Sequence, residues 1–232
     1  MRFLYSGICF NLALLGLNAT NLAVAATPPA ALVTQTPTIA RIAIYSDNLT
    51  IIRGNGVEFA LPAGFKGGSP SSAETRATIA KTARMFPSMA SLMQALDSDP
   101  AVIRAIATST DPQKSPGMVI VTRLPIPASV SLEDLQAMMS KAIPSMLPPE
   151  FKLVETKIQN VGSRQIVKMG IDVDIQGSKL QESIGLFREG NEIFQVTYIY
   201  ATENSPRAIS VFTQIINTFK ATDNTSTQAS PL

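Results

Sequence analysis

Histidine and tryptophan are missing from this 232-residue chain, and cysteine occurs once, at Cys9. Without imidazole there is no Ser-His-Asp or Cys-His nucleophilic site, no His-ligated haem, and no His/Cys zinc site. Charge is scarce as well: charged residues are 16% of the chain, against the roughly 25% usual for soluble proteins. The 19 basic and 17 acidic residues nearly cancel and form no run of one sign, so the electrostatic footprint of a nucleic-acid binder is absent. Apolar residues at 45% are ordinary and exclude a disordered composition.

What is present begins with an export pattern. Arg2 precedes an apolar run that ends in Ala23-Val24-Ala25, an A-x-A site before Ala26. Residues 1–25 read as a signal peptide. The alternative is an uncleaved anchor, but Asn11 and Asn18 interrupt the run, which is short for about 30 Å of hydrocarbon. Cys9 lies inside the run, too early to be the lipid-modified first residue of a lipoprotein. Cleavage removes both Cys9 and Arg2, leaving a protein with no thiol and nearly balanced charge. Residues 26–40 (ATPPAALVTQTPTIA) read as a linker, 41–221 as a single α+β domain, and 222–232 as a disordered tail. The expected compartment is outside the cytoplasm, periplasm or thylakoid lumen.

Within the domain, RIAIYSDNLTIIR gives two short β-like runs about Ser46-Asp47-Asn48, and in GVEFALP the residues Val57, Phe59 and Leu61 alternate as a half-buried strand. Pro62 and Gly67-Gly68 read as its stop, and Lys66-Gly67-Gly68 as a flexible loop without the spacing of a phosphate-binding lysine. Three short helices are expected between 72 and 108: one opened by a Ser71/Glu74 capping box, one from Pro87, and one capped by Asp99 ahead of Pro100. GMVIVTRLPI is a near-continuous apolar run and reads as a central strand. Ser131 and Asp134 open an amphipathic helix with Leu132, Leu135, Met139, Ala142 and Ile143 at i, i+3, i+4 spacing, ended by Pro148-Pro149.

Four strand-like stretches follow: FKLVETKIQNV, RQIVKMGIDVDI, KLQESIGLFR and EIFQVTYIYA. Turns at Gly162-Ser163, Gly177-Ser178 and Gly190-Asn191 are too short for crossovers, so the meander must be antiparallel. In the last strand Phe194, Val196, Tyr198 and Tyr200 share one face. A final helix, with Ser205 as cap and Pro206 in its first turn, carries the stripe Ala208, Phe212, Ile215, Ile216 and Phe219.

The order and wording of GVEFALPAGF, MVIVTRLPIP, VSLEDL, GNEIFQVTYIYA and IINTFK resemble the PsbP-like family, which includes extrinsic lumenal subunits of photosystem II. The match covers 57–66 and 117–221, as that of a divergent relative. The resemblance implies an α-β-α sandwich, a central antiparallel sheet with helices on both faces, and association with a membrane protein complex. With no histidine in the chain, no cation ligand carries over.

Candidate chemistry is thin. Asp172 and Asp174 fall on one face of a strand, as D-x-D can hold a divalent cation by hard oxygen ligands; the bland alternative is a solvated strand face. Met85, Met89 and Met93, with Met138, Met139 and Met146, could hold Cu(I), but Pro87 interrupts the first series and methionine ordinarily fills a core or an adaptable apolar groove, which is the preferred reading. Glu182, Glu189, Glu192 and Asp174 offer carboxylate pairs of the kind glycosidases use, as any chain of this size does. The sequence therefore points to a non-enzymatic binding or assembly protein with no cofactor. It would act on a protein or membrane-complex surface and not on nucleic acid, the alternative being a small-ligand or metal-binding protein of the periplasm.

Overall fold

The computed structural model describes residues 48–85, 102–110, 117–127, 129–175 and 178–222. The expected signal peptide, the linker, the strand run at 41–47, the helix from Pro87 and the tail from 223 lie outside the described residues. The described chain runs β1 (Leu49–Arg53), β2 (Val57–Pro62), β3 (Phe65–Gly68), α1 (Ala73–Met85), β4 (Ile103–Ser109), β5 (Gly117–Leu124), α2 (Leu132–Met146), β6 (Phe151–Val161), β7 (Arg164–Ile175), β8 (Ser178–Glu189), β9 (Glu192–Ala201), α3 (Ser205–Thr218) and β10 (Lys220–Ala221).

Seven strands form one sheet in the order β3-β4-β5-β9-β8-β7-β6, and β1-β2-β10 form a second, smaller one. Every pairing is antiparallel. The four-strand meander holds as the sequence pattern required, because the turns at 162–163 and 190–191 return the chain beside the strand it has just left and β8 begins three residues after β7 ends. The fold is α+β, with helices on both faces of the large sheet.

The two faces have separate cores. On one, α3 and the small sheet bury Val57, Phe59, Leu61, Phe194, Val196, Tyr198, Phe212, Ile215 and Phe219 together. Thr218 joins the two layers, its Oγ1 accepting from Ala60 N at 3.0 Å. On the other face α2 lies over β6 and β7 and buries Leu135, Met139 and Ile143 against Met169, Ile171 and Ile184. Fully burying one such side chain is worth about 1.5–3 kcal/mol, so each helix stripe outweighs the modest propensity of its own sequence.

Several local expectations change. The third helix expected around 99–108 is instead strand β4, with Ile103, Ala105, Ile106 and Ala107 buried. A strand covered on both faces reads as a continuous apolar run, which periodicity does not separate from a buried helix, and Asp99-Pro100 resembles a helix start. Lys66-Gly67-Gly68 is not a loop but most of β3, paired with Thr108, Ala107 and Ile106. A Cβ on Gly67 would collide with the Ile106 carbonyl, so glycine here permits close pairing, while β2 ends at Pro62 and β3 at Gly68, the stops expected from the sequence.

Helix α1 is capped one residue later than expected: Ser72 Oγ accepts from Thr75 N at 3.1 Å. Ser131 does cap α2, accepting from Asp134 N at 3.0 Å, and the helix ends at Met146 with Pro144 in its last turn. In α3 the N-cap is Asn204, without a side-chain bond, and Ser205 is the first helical residue after a short 3-10 turn at Thr202–Asn204. The stripe assigned to α3 is buried as expected. Among the described residues no helix is long and apolar enough to cross a membrane.

Candidate functional site

The face of the large sheet that α3 covers is not apolar throughout. Where α3 begins, β6, β7, β8 and β9 run on past it and expose a polar shelf. Two sequence features shape the shelf. The first is a bulge in β6 between Leu153 and Glu155. A bulge sets two residues against one, and here Val154 and Glu155 both lean over Gly170 of β7. The second is Gly170 itself, on which a Cβ would stand 3.1 Å from Glu155 Cγ and 3.1 Å from Val154 Cγ2. Val154 is left 47% exposed.

Charge on the shelf is organised around Glu155. Its Oε1 lies 2.5 Å from Lys168 Nζ and its Oε2 2.8 Å from Lys157 Nζ. Burial alone would raise this carboxyl, but the hydrogen bonds and charges of Lys157 and Lys168 outweigh it and hold it below the ordinary carboxylate value. Beside this trio, Gln181 stands opposite Asp172 on the neighbouring strand and donates through Nε2 to Asp172 Oδ1 at 2.8 Å. Gln181 Oε1 lies 2.8 Å from Ser205 Oγ, so the start of α3 is tied to the sheet.

The back wall is aromatic. Tyr200 OH lies 3.1 Å from Ser183 Oγ, and the Tyr198 and Tyr200 rings pack 5.1 Å apart. Burial raises the Tyr200 phenol, eased by the Ser183 bond and reinforced by the charges of Asp172 and Glu155; burial pushes Tyr198 up to about 12. These shifts bear on chemistry. Near neutral pH the phenol is therefore neutral and the carboxylate ionised, so the shelf presents hydrogen-bonding groups already engaged by their neighbours.

The residues singled out from sequence separate as follows. Asp172 and Asp174 do share the shelf face of β7, Asp172 engaged by Gln181 and Asp174 exposed opposite Lys179. Among the described residues no three His, Cys, Asp or Glu side chains gather as a metal cage. Glu189 and Glu192 meet across the β8–β9 turn, yet each carries its own arginine, Arg164 at 2.9 Å and Arg123 at 2.6 Å. Glu182 lies on the opposite face of the sheet from Asp174 and is buried. Met139 sits in the α2 core with Met138 packed against it, whereas Met146 is 40% exposed, so these three do not converge. Met89, Met93 and the side chain of Met85 lie outside the described residues. Sequence reasoning missed Val154, Glu155, Lys168 and Tyr200 as one surface. The glycine inside β7, Gly170, was the available signal for it.

No protein-family model matches the chain, and no curated protein matches it. Solved structures do. Cyanobacterial PsbP from Synechocystis sp. PCC 6803 matches with a TM-score of 0.46 at 12% identity, over 80% of this chain and 99% of that one. The Ran-binding protein Mog1p of Saccharomyces cerevisiae matches with a TM-score of 0.45 at 9% identity, over 77% and 97%. LpqN of Mycobacterium tuberculosis, involved in cell envelope biogenesis, matches with a TM-score of 0.42 at 10% identity, over 76% and 91%. These are likenesses in the course of the chain at very low identity.

Proposed function

We propose that this chain is an exported, non-enzymatic binding or accessory protein, a divergent relative of the PsbP-like family, acting on the surface of a protein or membrane complex such as photosystem II. The observation that carries the reading is the shelf: a half-exposed surface on which Glu155, Lys157, Lys168, Asp172 and Gln181 are each held by a neighbour, backed by buried Tyr200. Side chains already fixed lose little rotamer freedom on docking, and the mixture of both charge signs favours a partner of complementary pattern over a polyanion. Exposed Val154 supplies an apolar contact at the rim.

The test is capture from a mild detergent extract by the tagged chain from Ala26 onward. One defined membrane complex is expected with the parent, and loss of that complex with Lys157→Ala, whose exposed ion pair contributes little to stability, at a nearly unchanged melting temperature. Equal capture by the variant would remove the shelf from the account. Capture of no complex would remove the accessory role. A second reading, a divalent cation at Asp172 and Asp174, rests on their shared face. It predicts that calcium or magnesium raises the melting temperature of the parent and leaves Asp172→Asn unchanged.

A further inference from the structure

The strand face opposite the shelf carries a group that its surroundings do not explain. Glu182, on β8, is 2% exposed, and its Oε2 has no hydrogen-bond partner. Register places it between Ile171 of β7 and Ile199 of β9, with Leu180 and Ile184 on either side along its own strand. Thr197, buried, is the diagonal polar neighbour on β9.

No charge balances it from the described elements. β7 turns Met169, Ile171 and Val173 to this face, and α2 turns Leu135, Met139 and Ile143. The charged residues of α2, Glu133, Asp134 and Lys141, are exposed on its outer side. Arg188, on the same face of β8, lies about 20 Å along the strand and donates to the Val130 carbonyl. An ionised carboxylate without a cation or a full set of donors is far costlier to bury than its protonated form. Burial accordingly pushes this carboxyl up to about 8.

We propose that Glu182 is a proton-operated latch on this face of the sheet: the packing accepts the neutral carboxyl, and loss of the proton loosens β8 and β9 from their cover. The sign follows from linkage. The unfolded or opened carboxyl loses its proton near the ordinary value of about 4.3 while the closed one keeps it, so closure weakens as pH rises between the two values and levels off above.

Amide hydrogen exchange of β8 and β9 in the whole chain, corrected for intrinsic rates, tests the idea from pH 5 to 9. The expected result is an opening constant that grows about tenfold per pH unit up to about pH 8 and then flattens, as one linked proton requires. Glu182→Gln keeps the shape without the titration and should remove that slope. A slope that persists in the variant would overturn the latch. If the variant does not fold, carbon-13 titration of the carboxyl in the parent decides: a midpoint near 8 supports it, and one below 6 ends it.

Discussion

Replacing Arg164 by alanine should be among the most damaging single changes on the α3 side of the molecule. Arg164 opens β7 and reaches the far end of α3, where its guanidinium donates to the carbonyls of Ile216 and Phe219, the latter at 2.6 Å. The same group pairs with Glu189 at 2.9 Å and lies over the Phe187 and Phe219 rings, 5.5 and 5.8 Å from their centroids. Helix C-termini leave carbonyls without intrahelical partners, and a cation placed there also meets the negative end of the helix dipole.

Each hydrogen bond from a charged group is worth about 1.5–3 kcal/mol, and the Arg164 side chain is only 18% exposed. The Glu189 pair, 29% exposed on the acid side, adds about 1 kcal/mol or less. Water reaching the freed carbonyls returns part of this, so the expected loss for Arg164→Ala is about 3–4 kcal/mol. At about 2–4 °C per kcal/mol for a domain of this size, the melting temperature should fall by about 10 °C. Glu189→Gln, which removes only the ion pair, should lower it by no more than about 4 °C. Thermal unfolding followed by circular dichroism, with urea midpoints as a second measure, compares the two. If Arg164→Ala proves no worse than Glu189→Gln, the helix-end carbonyls contribute nothing and the reasoning fails.

Gly185→Ala should destabilise by about 1–3 kcal/mol, because the new Cβ would stand 2.9 Å from Phe212 Cζ and 3.2 Å from Ile216 Cδ1; an unchanged urea midpoint would show that α3 can shift outward freely. Ser131→Ala should cost about 1 kcal/mol and speed exchange in the first turn of α2 before anywhere else. Tyr198, raised to about 12 by burial, holds its proton longer folded than unfolded, so its contribution to stability falls as pH rises from about 10 toward that value. Tyr198→Phe should lessen the alkaline loss of stability between pH 9.5 and 11, and an equally steep loss in the variant would count against the buried phenol.

The elements that could be read directly are those whose signals are short-range. The meander of β6 to β9 follows from alternation and short turns, and the start of α2 follows from Ser131 and Asp134, three residues apart. The inward stripe of α3 is a matter of helical period alone. Failures came where a distant partner decided the outcome. Ile103–Ser109 is a strand because β3 and β5 flank it, and Phe65–Gly68 is a strand because β4 accepts it closely.

The candidate site divides in the same way. That Asp172 and Asp174 share a face follows from the period of a strand. That Gln181, Ser205, Glu155 and Tyr200 surround that face follows from register across four strands and from where α3 begins.

Amino-acid content by itself removed imidazole from the whole chain and tryptophan with it, and local pattern laid out the strands and helices whose periods repeat within a few residues. Tertiary structure alone decided which strands pair, that Arg164 closes the end of α3, and that Glu182 is sealed without a counter-charge. The reason is one of range. Period and capping act between neighbours along the chain, whereas burial, and the electrostatics that burial governs, depend on residues brought together from far apart.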